Sequence, residues 1–295
     1  MGKMPKNEVG LFSRLSGFVV AKKHELQRHR HTHPSDRGRT RLNIPREFPL
    51  YRANMDGSYA AKAFIASQSI KNTIPFLAQL SASFGKTAFV PVSISAFARA
   101  DSQSRAKELN LCFDRHGSDK STLHDYHIFY AFLLSSPESV KAILEIGLGS
   151  NNPGVPSNMG ADGKPGASLR AWRDFCVNAE VFGADIDRDI LFQDQRIQTY
   201  FVDQTDPAAF KVLAELIPPS FDLIIDDGLH AVDANIQTMI FALPRLKPSG
   251  WFVIEDIAFA AESLWQVVAS MLPSDYASHY IKAKNGCLFA VQRLS

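Results

Sequence analysis

The alternation of short apolar segments with helical segments is the feature that most constrains the fold of this chain. Five segments of the second half are almost continuously apolar, and stretches with apolar residues three or four positions apart separate them. The five are "AILEIGLG" (142–149), "AEVFGADID" (179–187), "QTYFVDQ" (198–204), "FDLIIDDG" (221–228) and "GWFVIEDI" (250–257). Strands of this kind are typical of a parallel sheet that helices cover on both faces.

The end of the chain predicts a change of strand direction. After a further helical stretch, "ASHYIKAK" and "CLFAVQRL" are separated only by Asn285-Gly286, a dipeptide typical of tight hairpins. We therefore predict an α/β, doubly wound fold, with a mainly parallel seven-stranded sheet whose last strand is antiparallel. Residues 51–110 have helical periodicity, so the predicted parts are a basic arm (1–50), a helical N-terminal region (51–110) and the α/β domain (111–295).

Charge is distributed unevenly along the chain. Residues 1–46 contain eleven Lys or Arg and three Asp or Glu, a charge of +8, and because the whole chain carries +2 the remainder carries −6. The arm is typical of a solvated, mobile segment that could contact an anionic membrane. The −6 remainder disfavours a nucleic acid partner. The three cysteines have no metal-ligand spacing, so we expect buried thiols in a reducing compartment and a cytoplasmic location, peripheral at the inner face of the membrane if the arm binds there.

Polar residues follow each of the five apolar segments. They are Gly147, Gly149 and Ser150 after the first, Asp185 after the second, Asp203 and Gln204 after the third, Asp226 and Asp227 after the fourth, and Glu255 and Asp256 at the fifth. In a doubly wound sheet, ligands bind beyond the carboxyl ends of the strands. The sequence therefore predicts one binding site at this edge of the sheet.

The polar residues after the first three strands favour a nucleoside cofactor. The glycines of "EIGLGS" allow backbone N–H groups to approach a ligand closely. A dinucleotide is disfavoured, because the third glycine of its fingerprint is missing and a long loop precedes the helix. Asp185 is placed to accept hydrogen bonds from ribose hydroxyls, and Asp203-Gln204 to bind an adenine edge, which suits S-adenosylmethionine. Each residue alone could instead cap a helix or lie on the surface.

The last two strands favour a metal ion. Asp227, Glu255 and Asp256 follow neighbouring strands, whose tips lie about 5 Å apart. An oxygen-only ligand set favours Mg²⁺, or Mn²⁺, over zinc. The alternative is that Asp226 or Asp227 caps a helix beginning at Ala231 and that His230 is a loop residue.

The whole set of motifs resembles a known enzyme class. "LEIGLGS", "PGASLRAW", "FGADID", "TYFVDQTD", "IIDDGLH" and "FVIEDI" are similar to motifs of class I S-adenosylmethionine-dependent methyltransferases, and more narrowly of the metal-dependent sugar O-methyltransferases that modify macrolide antibiotics. The resemblance covers about residues 113–294, including "DRHGSDKSTLHDYHIFY" (114–130), which looks like the segment that folds over the cofactor. The loop between residues 150 and 166 is longer than in that family.

The resemblance implies a Rossmann-like methyltransferase domain over residues 111–295. We also expect an assembly of identical subunits. It implies that Asp227, Glu255 and Asp256 hold Mg²⁺, that His230 is the general base, and that Asp227 and His230 are the catalytic pair. The expected activity is methyl transfer to a hydroxyl of a sugar in a glycan, glycolipid or glycosylated natural product. Three alternatives stay open: a catechol or other small-molecule acceptor, an inactive methyltransferase-like scaffold, and a nucleic acid methyltransferase.

We expect the basic arm to be dispensable for chemistry. Deletion of residues 1–45 should leave turnover of a small acceptor nearly unchanged, because no predicted site residue lies there. The same deletion should weaken binding to anionic vesicles at low salt, measured by sedimentation with the vesicles. A truncated protein that fails to fold or assemble would show that the arm is structural.

Overall fold

The computed structural model describes residues 59–83, 85 and 89–295. The predicted arm, residues 1–50, lies outside the described residues. The chain divides into two compact units, Met1–Ile74 and Pro75–Ser295. Within the first unit the described residues, 59–74, are helical, and all strands of the described chain belong to the second unit.

The second unit contains a nine-stranded sheet in the order β1-β8-β9-β7-β6-β2-β3-β5-β4. Its strands are β1 (Val92–Ser93), β2 (Ala142–Ile146), β3 (Glu180–Asp185), β4 (Gln193–Asp194), β5 (Ile197–Phe201), β6 (Phe221–Asp226), β7 (Leu246–Ile257), β8 (Tyr276–Lys282) and β9 (Cys287–Arg293). All seven predicted strands are present, and β9 runs antiparallel to both of its neighbours. The predicted sheet is confirmed, with a two-residue strand added at each edge.

Helices cover both faces of this sheet. The helices of the described chain are α1 (Tyr59–Ser83), α2 (Gln103–His116), α3 (Asp119–Thr122), α4 (Tyr126–Leu133), α5 (Ala167–Phe175), α6 (Pro207–Leu216), α7 (Val232–Ala242) and α8 (Glu262–Met271), and those whose residues pack on the sheet are α2 and α4 to α8. Alternate strand residues point to opposite faces, and they separate into two apolar clusters, one with α2, α4 and α5 and the other with α6, α7 and α8. Among the described residues, no helix is both long enough and apolar enough to cross a bilayer.

Part of the predicted N-terminal region contributes to the core of the sheet. The predicted boundary between residues 110 and 111 falls inside α2, whose Leu109 and Phe113 are fully buried in the same cluster as strand residues. Phe97 also packs against Phe129 of α4, with ring centroids 4.9 Å apart. The chain from α2 onward therefore packs as one body with the sheet.

The hairpin between β8 and β9 supports the segment that precedes α4. The predicted hairpin is present, and the N–H of Ala283 donates to the carbonyl of Gly286 at 2.9 Å to close it. At its tip, Asn285 Nδ2 donates to the carbonyl of Leu123 at 2.6 Å. This contact holds the start of α4, and with it residues 120–126, against the carboxyl edge of the sheet.

Candidate active site

A cleft of about 210 Å³ opens at the carboxyl ends of β2, β3, β5 and β6. Every residue predicted to bind the cofactor lines it: Gly147, Gly149, Ser150, Asp185, Asp203 and Gln204. The long loop after β2 contributes Val155, Pro156 and Ser157 to the same wall, and Asp227 lies at its border. The structure thus brings the predicted cofactor residues together in one cavity, which we call the cofactor cleft.

The glycines at the tip of β2 are required by close packing. Gly147 has a φ of 93°, and a Cβ atom there would lie 2.0 Å from the carbonyl oxygen of Asp227. Gly149 has a φ of 74°, and the side chain of Met159 from the long loop lies over it. Positive φ without a side chain is the conformation that glycine alone adopts at little cost. The β2 tip can therefore lie directly against the β6 tip and beneath the loop.

Asp185 binds the glycine turn to the tip of β3. Its carboxylate accepts the N–H groups of Leu148 at 2.7 Å and Asp187 at 2.8 Å. Burial raises the pKa of this carboxyl, and the hydrogen bonds oppose the shift. Ser150 donates to Asp187 at 2.5 Å, which extends the same network. A carboxylate has about four acceptor positions, so Asp185 keeps acceptor capacity toward the cleft.

Gln204 and Asp226 form a buried network behind the cleft. Gln204 Nε2 donates to Asp226 at 2.6 Å and to Thr238 at 2.8 Å, while its Oε1 accepts the N–H of Leu229 at 2.8 Å. The side chain of Gln204 is therefore engaged in holding the loop after β6. Asp203, at the surface of the cleft, accepts from the backbone and hydroxyl of Thr205.

The alternative in which Asp226 or Asp227 caps α7 is not observed. The N-cap residue of α7 is Ala231, which makes no side-chain cap. Within the described part of the chain, Asp226 is fully buried and accepts from Asn235 at 3.0 Å in addition to Gln204. Asp226 is thus a structural carboxylate. Asp227 instead lies near Lys120, His230 and Asp256.

Asp227, His230 and Asp256 form a compact set of potential metal donors. One donor atom from each lies within 4.8 Å of the other two, and we call these three residues the donor group. His230 Nε2 is 3.9 Å from Asp256 Oδ2. Both His230 and Asp256 have left-handed backbones, with φ of 57° and 55°. Such conformations are costly outside glycine and concentrate at functional sites.

Glu255, the other predicted ligand, lies beside the donor group with both carboxylate oxygens bonded elsewhere. Its Oε2 is 2.5 Å from Lys120 Nζ, and its Oε1 accepts from the hydroxyl of Tyr130. Only 2% of the residue is exposed. The structure therefore brings Asp227 and Asp256 together with His230, and directs Glu255 into the buried interior next to them.

Lys120 supplies a buried positive charge to this region. Its Nζ is also 2.6 Å from Asp227 Oδ2 and 3.3 Å from Glu145 Oε1. Burial alone would lower the pKa of this amine, but the neighbouring carboxylates raise it well above its usual range. Glu145, fully buried in β2, also accepts from Ser168 and Trp172, each at 2.7 Å. Every oxygen of this interior carboxylate is thereby paired.

Asp256 has partners from the segment that precedes and begins α4. The Tyr126 hydroxyl donates to Asp256 Oδ1 at 2.7 Å, and His124 Nδ1 lies 3.5 Å from the same oxygen. Burial and Asp256 both raise the pKa of Tyr126, so the phenol remains a donor. The rings of His124 and Tyr126 stack with centroids 4.9 Å apart.

Sequence reasoning missed most of these partners. The sequence predicts for residues 114–130 only a segment that covers the cofactor, whereas side chains from this segment reach the carboxylates of the sheet edge. The residues missed are Lys120, His124, Tyr126, Tyr130 and Glu145. For the first four of these, the available signal was the density of polar and aromatic residues in "DKSTLHDYHIFY".

The charges of this region fit a divalent cation. Within the described part of the chain, the single ammonium of Lys120 faces Glu145, Asp227 and Glu255, and Asp256 adds a fourth carboxylate nearby. Carboxylates this close repel one another unless a cation or a proton intervenes. The carboxylates of Asp227 and Asp256 are the hard oxygen donors that Mg²⁺ or Mn²⁺ prefers, and the donor group contains no sulfur. The residues present therefore fit such an ion.

The fold is that of the class I, Rossmann-like methyltransferases. The solved structure of the MycE methyltransferase from the mycinamycin biosynthetic pathway, in complex with Mg and SAH, superimposes with a TM-score of 0.52. The two chains are 23% identical, and the match covers 63% of this chain and 55% of that one. At this identity the likeness establishes the fold. No protein-family model matches the chain.

The names of curated relatives narrow the resemblance from methyltransferases in general to sugar O-methyltransferases. The chain is 34% identical over 145 residues to the 8-demethyl-8-alpha-L-rhamnosyl tetracenomycin-C 2'-O-methyltransferase of Streptomyces olivaceus, covering 48% of this chain and 36% of that protein. It is 40% identical over 93 residues to the demethylmacrocin O-methyltransferase of Streptomyces fradiae, covering 31% of this chain and 23% of that protein. The predicted resemblance to sugar O-methyltransferases is confirmed, and the chain spans about a third or less of these relatives' length.

Proposed function

We propose that this protein is a Mg²⁺-dependent O-methyltransferase that transfers a methyl group from S-adenosylmethionine to a hydroxyl of a sugar. One observation carries the proposal: the donor group lies at the border of the cofactor cleft, with Asp227 belonging to both. A methyl donor in the cleft and a hydroxyl at the donor group would then be neighbours. The named activities of the relatives support the choice of a sugar as acceptor.

In the proposed complex, S-adenosylmethionine supplies an electrophilic methyl group. Asp185 uses its remaining acceptor capacity for the ribose hydroxyls. Asp203 lies where an adenine edge would be reached, and Gln204 contributes through its backbone because its side chain is engaged with Asp226 and Thr238. Gly147 and Gly149 let the nucleoside approach the β2 tip closely.

At the donor group, Asp227 and Asp256 are the proposed ligands of Mg²⁺, and Glu255 stays a predicted third ligand. Bound Mg²⁺ would lower the pKa of a coordinated sugar hydroxyl. His230 accepts the hydroxyl proton at Nε2 as the bond from the sugar oxygen to the methyl carbon forms and the methyl–sulfur bond breaks, which leaves S-adenosylhomocysteine (SAH). His230 and Asp227 together remain the proposed catalytic pair. Tyr126 holds Asp256 by donating to its Oδ1. The association of identical subunits, the cytoplasmic location and the membrane contact of the arm stay predictions.

The test is methyl transfer from labelled S-adenosylmethionine to a panel of acceptors. The panel contains rhamnosyl and other deoxysugar glycosides, the matching aglycones, and a catechol, each with and without a chelator. We expect label in the glycosides only, and its loss on chelation with recovery on adding Mg²⁺. Transfer to the catechol alone would move the acceptor to another class, and transfer unaffected by the chelator would contradict the metal dependence.

Asp185→Asn should weaken cofactor binding. The asparagine keeps one acceptor oxygen, but it loses the charge that strengthens the bonds to ribose hydroxyls, and its amide replaces one of the two oxygens that accept the N–H groups of Leu148 and Asp187. A charge-assisted hydrogen bond contributes about 1.5–3 kcal/mol, so the affinity for SAH should fall roughly ten- to a hundredfold in calorimetry. Asp194→Asn, on an exposed carboxylate of β4, is the control and should bind normally. Unchanged affinity in Asp185→Asn would remove this residue from the cofactor site.

A further inference from the structure

Lys120 is a buried, charged residue of this region to which the proposed chemistry assigns no part. Lysine is almost never fully buried unless it is paired, and this side chain is 3% exposed. Its Nζ contacts Glu145 in β2, Asp227 at the tip of β6 and Glu255 in β7. These three strands are adjacent in the sheet, so one ammonium group joins three neighbouring strand ends.

We propose that Lys120 is a positioning residue of the metal site. Its ammonium is a built-in cation that neutralises Glu145, Asp227 and Glu255 together and holds the Asp227 carboxylate in the donor group. The inference rests on the proposed function for the metal and goes beyond it by assigning the residue that neutralises the ligands and keeps them together before the metal binds. Lys120 binds no substrate in this account and acts through Asp227.

The geometry supports an electrostatic role over a packing role. The three carboxylates all lie within 3.3 Å of one nitrogen atom, so they are close enough to one another to repel strongly once that charge is removed. Serine, tryptophan and tyrosine donors satisfy part of Glu145 and Glu255. The structure gives Asp227 no such side-chain donor other than Lys120 within the described chain, so its orientation depends most on this lysine.

The test compares the metal dependence of thermal stability in three full-length proteins: the wild type, Lys120→Met and Lys247→Met. Methionine keeps the length and apolar stem of lysine without its charge. Lys247 is the matched control, because its Nζ is 2.8 Å from Asp222 in an ion pair at the opposite end of β6. The measurement is Tm in excess chelator and in saturating Mg²⁺.

In chelator, we expect Lys120→Met to melt roughly 10 °C below the wild type, because buried carboxylates lose their cation. Mg²⁺ should raise the Tm of Lys120→Met by clearly more than it raises that of the wild type, since a divalent ion can take over the neutralising role. Lys247→Met should show a smaller loss that Mg²⁺ leaves unchanged. The inference is overturned if Mg²⁺ raises the Tm of Lys120→Met no more than that of the wild type.

A second variant keeps the test decisive if Lys120→Met does not fold. The double variant Lys120→Met with Glu255→Gln removes one positive and one negative charge, and it should fold and melt above Lys120→Met. A double variant that also fails to fold in both chelator and Mg²⁺ would indicate a packing role instead. Calorimetry of Mg²⁺ with the wild type tests the proposed function separately: no binding there would refute the metal-dependent activity, while the Tm comparison still decides the role of Lys120.

Discussion

Replacing His230 by asparagine is expected to lower kcat by about 10²–10⁴-fold, the usual contribution of a general base. Asparagine is preferred to alanine because residue 230 has a φ of 57°, a left-handed conformation that asparagine tolerates better. The substitution therefore removes the imidazole without straining the loop after β6. Turnover is measured with labelled S-adenosylmethionine and the best glycoside acceptor at several Mg²⁺ concentrations.

The result for Mg²⁺ separates two roles of His230. A base that holds no metal leaves the Mg²⁺ affinity of His230→Asn near that of the wild type, and excess Mg²⁺ does not restore turnover. A loss of Mg²⁺ affinity together with partial rescue would instead make His230 a ligand, as its place within 4.8 Å of Asp227 and Asp256 allows. Full activity in His230→Asn would refute any catalytic role for the imidazole.

Replacement by asparagine should have different effects at the adjacent carboxylates Asp226 and Asp227: it should weaken Mg²⁺ binding at Asp227 and lower the Tm at Asp226. Asp227→Asn removes a charged metal ligand, so the dissociation constant for Mg²⁺ should rise by at least about a hundredfold, more than is typical for residues that only support ligands. High concentrations of Mg²⁺ should then recover part of the activity. Calorimetry and turnover as a function of Mg²⁺ concentration measure the two effects.

Asp226→Asn is the matched control for this prediction. Asp226 is fully buried and accepts from Gln204, Asn235 and the N–H of Gly228. Its replacement places an amide among groups that need an acceptor, at a cost of roughly 1–3 kcal/mol in the free energy of unfolding. The Tm should fall while the Mg²⁺ affinity of the folded protein stays unchanged. Equal losses of Mg²⁺ affinity in both variants would mean that Asp227 holds no ion.

The sequence does not show that the neighbouring side chains of Glu255 and Asp256 point to different partners. Both are predicted to be ligands because both follow the apolar run "WFVI", and the structure places both inside β7, before Ile257. The pairing of β7 with β9 shifts register between Ile254 and Ile257, and Asp256 takes a left-handed backbone at that shift. A bulge changes which way consecutive side chains point, and it arises from strand pairing that a single sequence does not display.

The sequence by itself determined that the chain forms a mainly parallel sheet, which seven segments are its strands, and that the last strand is antiparallel. It also determined the edge of the sheet at which the site lies. Apolar runs, helical periodicity and glycines are local properties, and the rule that ligands bind at carboxyl ends needs only the strand directions. Only the tertiary structure decided that Lys120 meets Asp227 across 107 positions of sequence, and that Tyr126 meets Asp256 across 130. Contacts this distant depend on how α3 and α4 pack against the sheet edge, and many buried side chains acting together fix that packing.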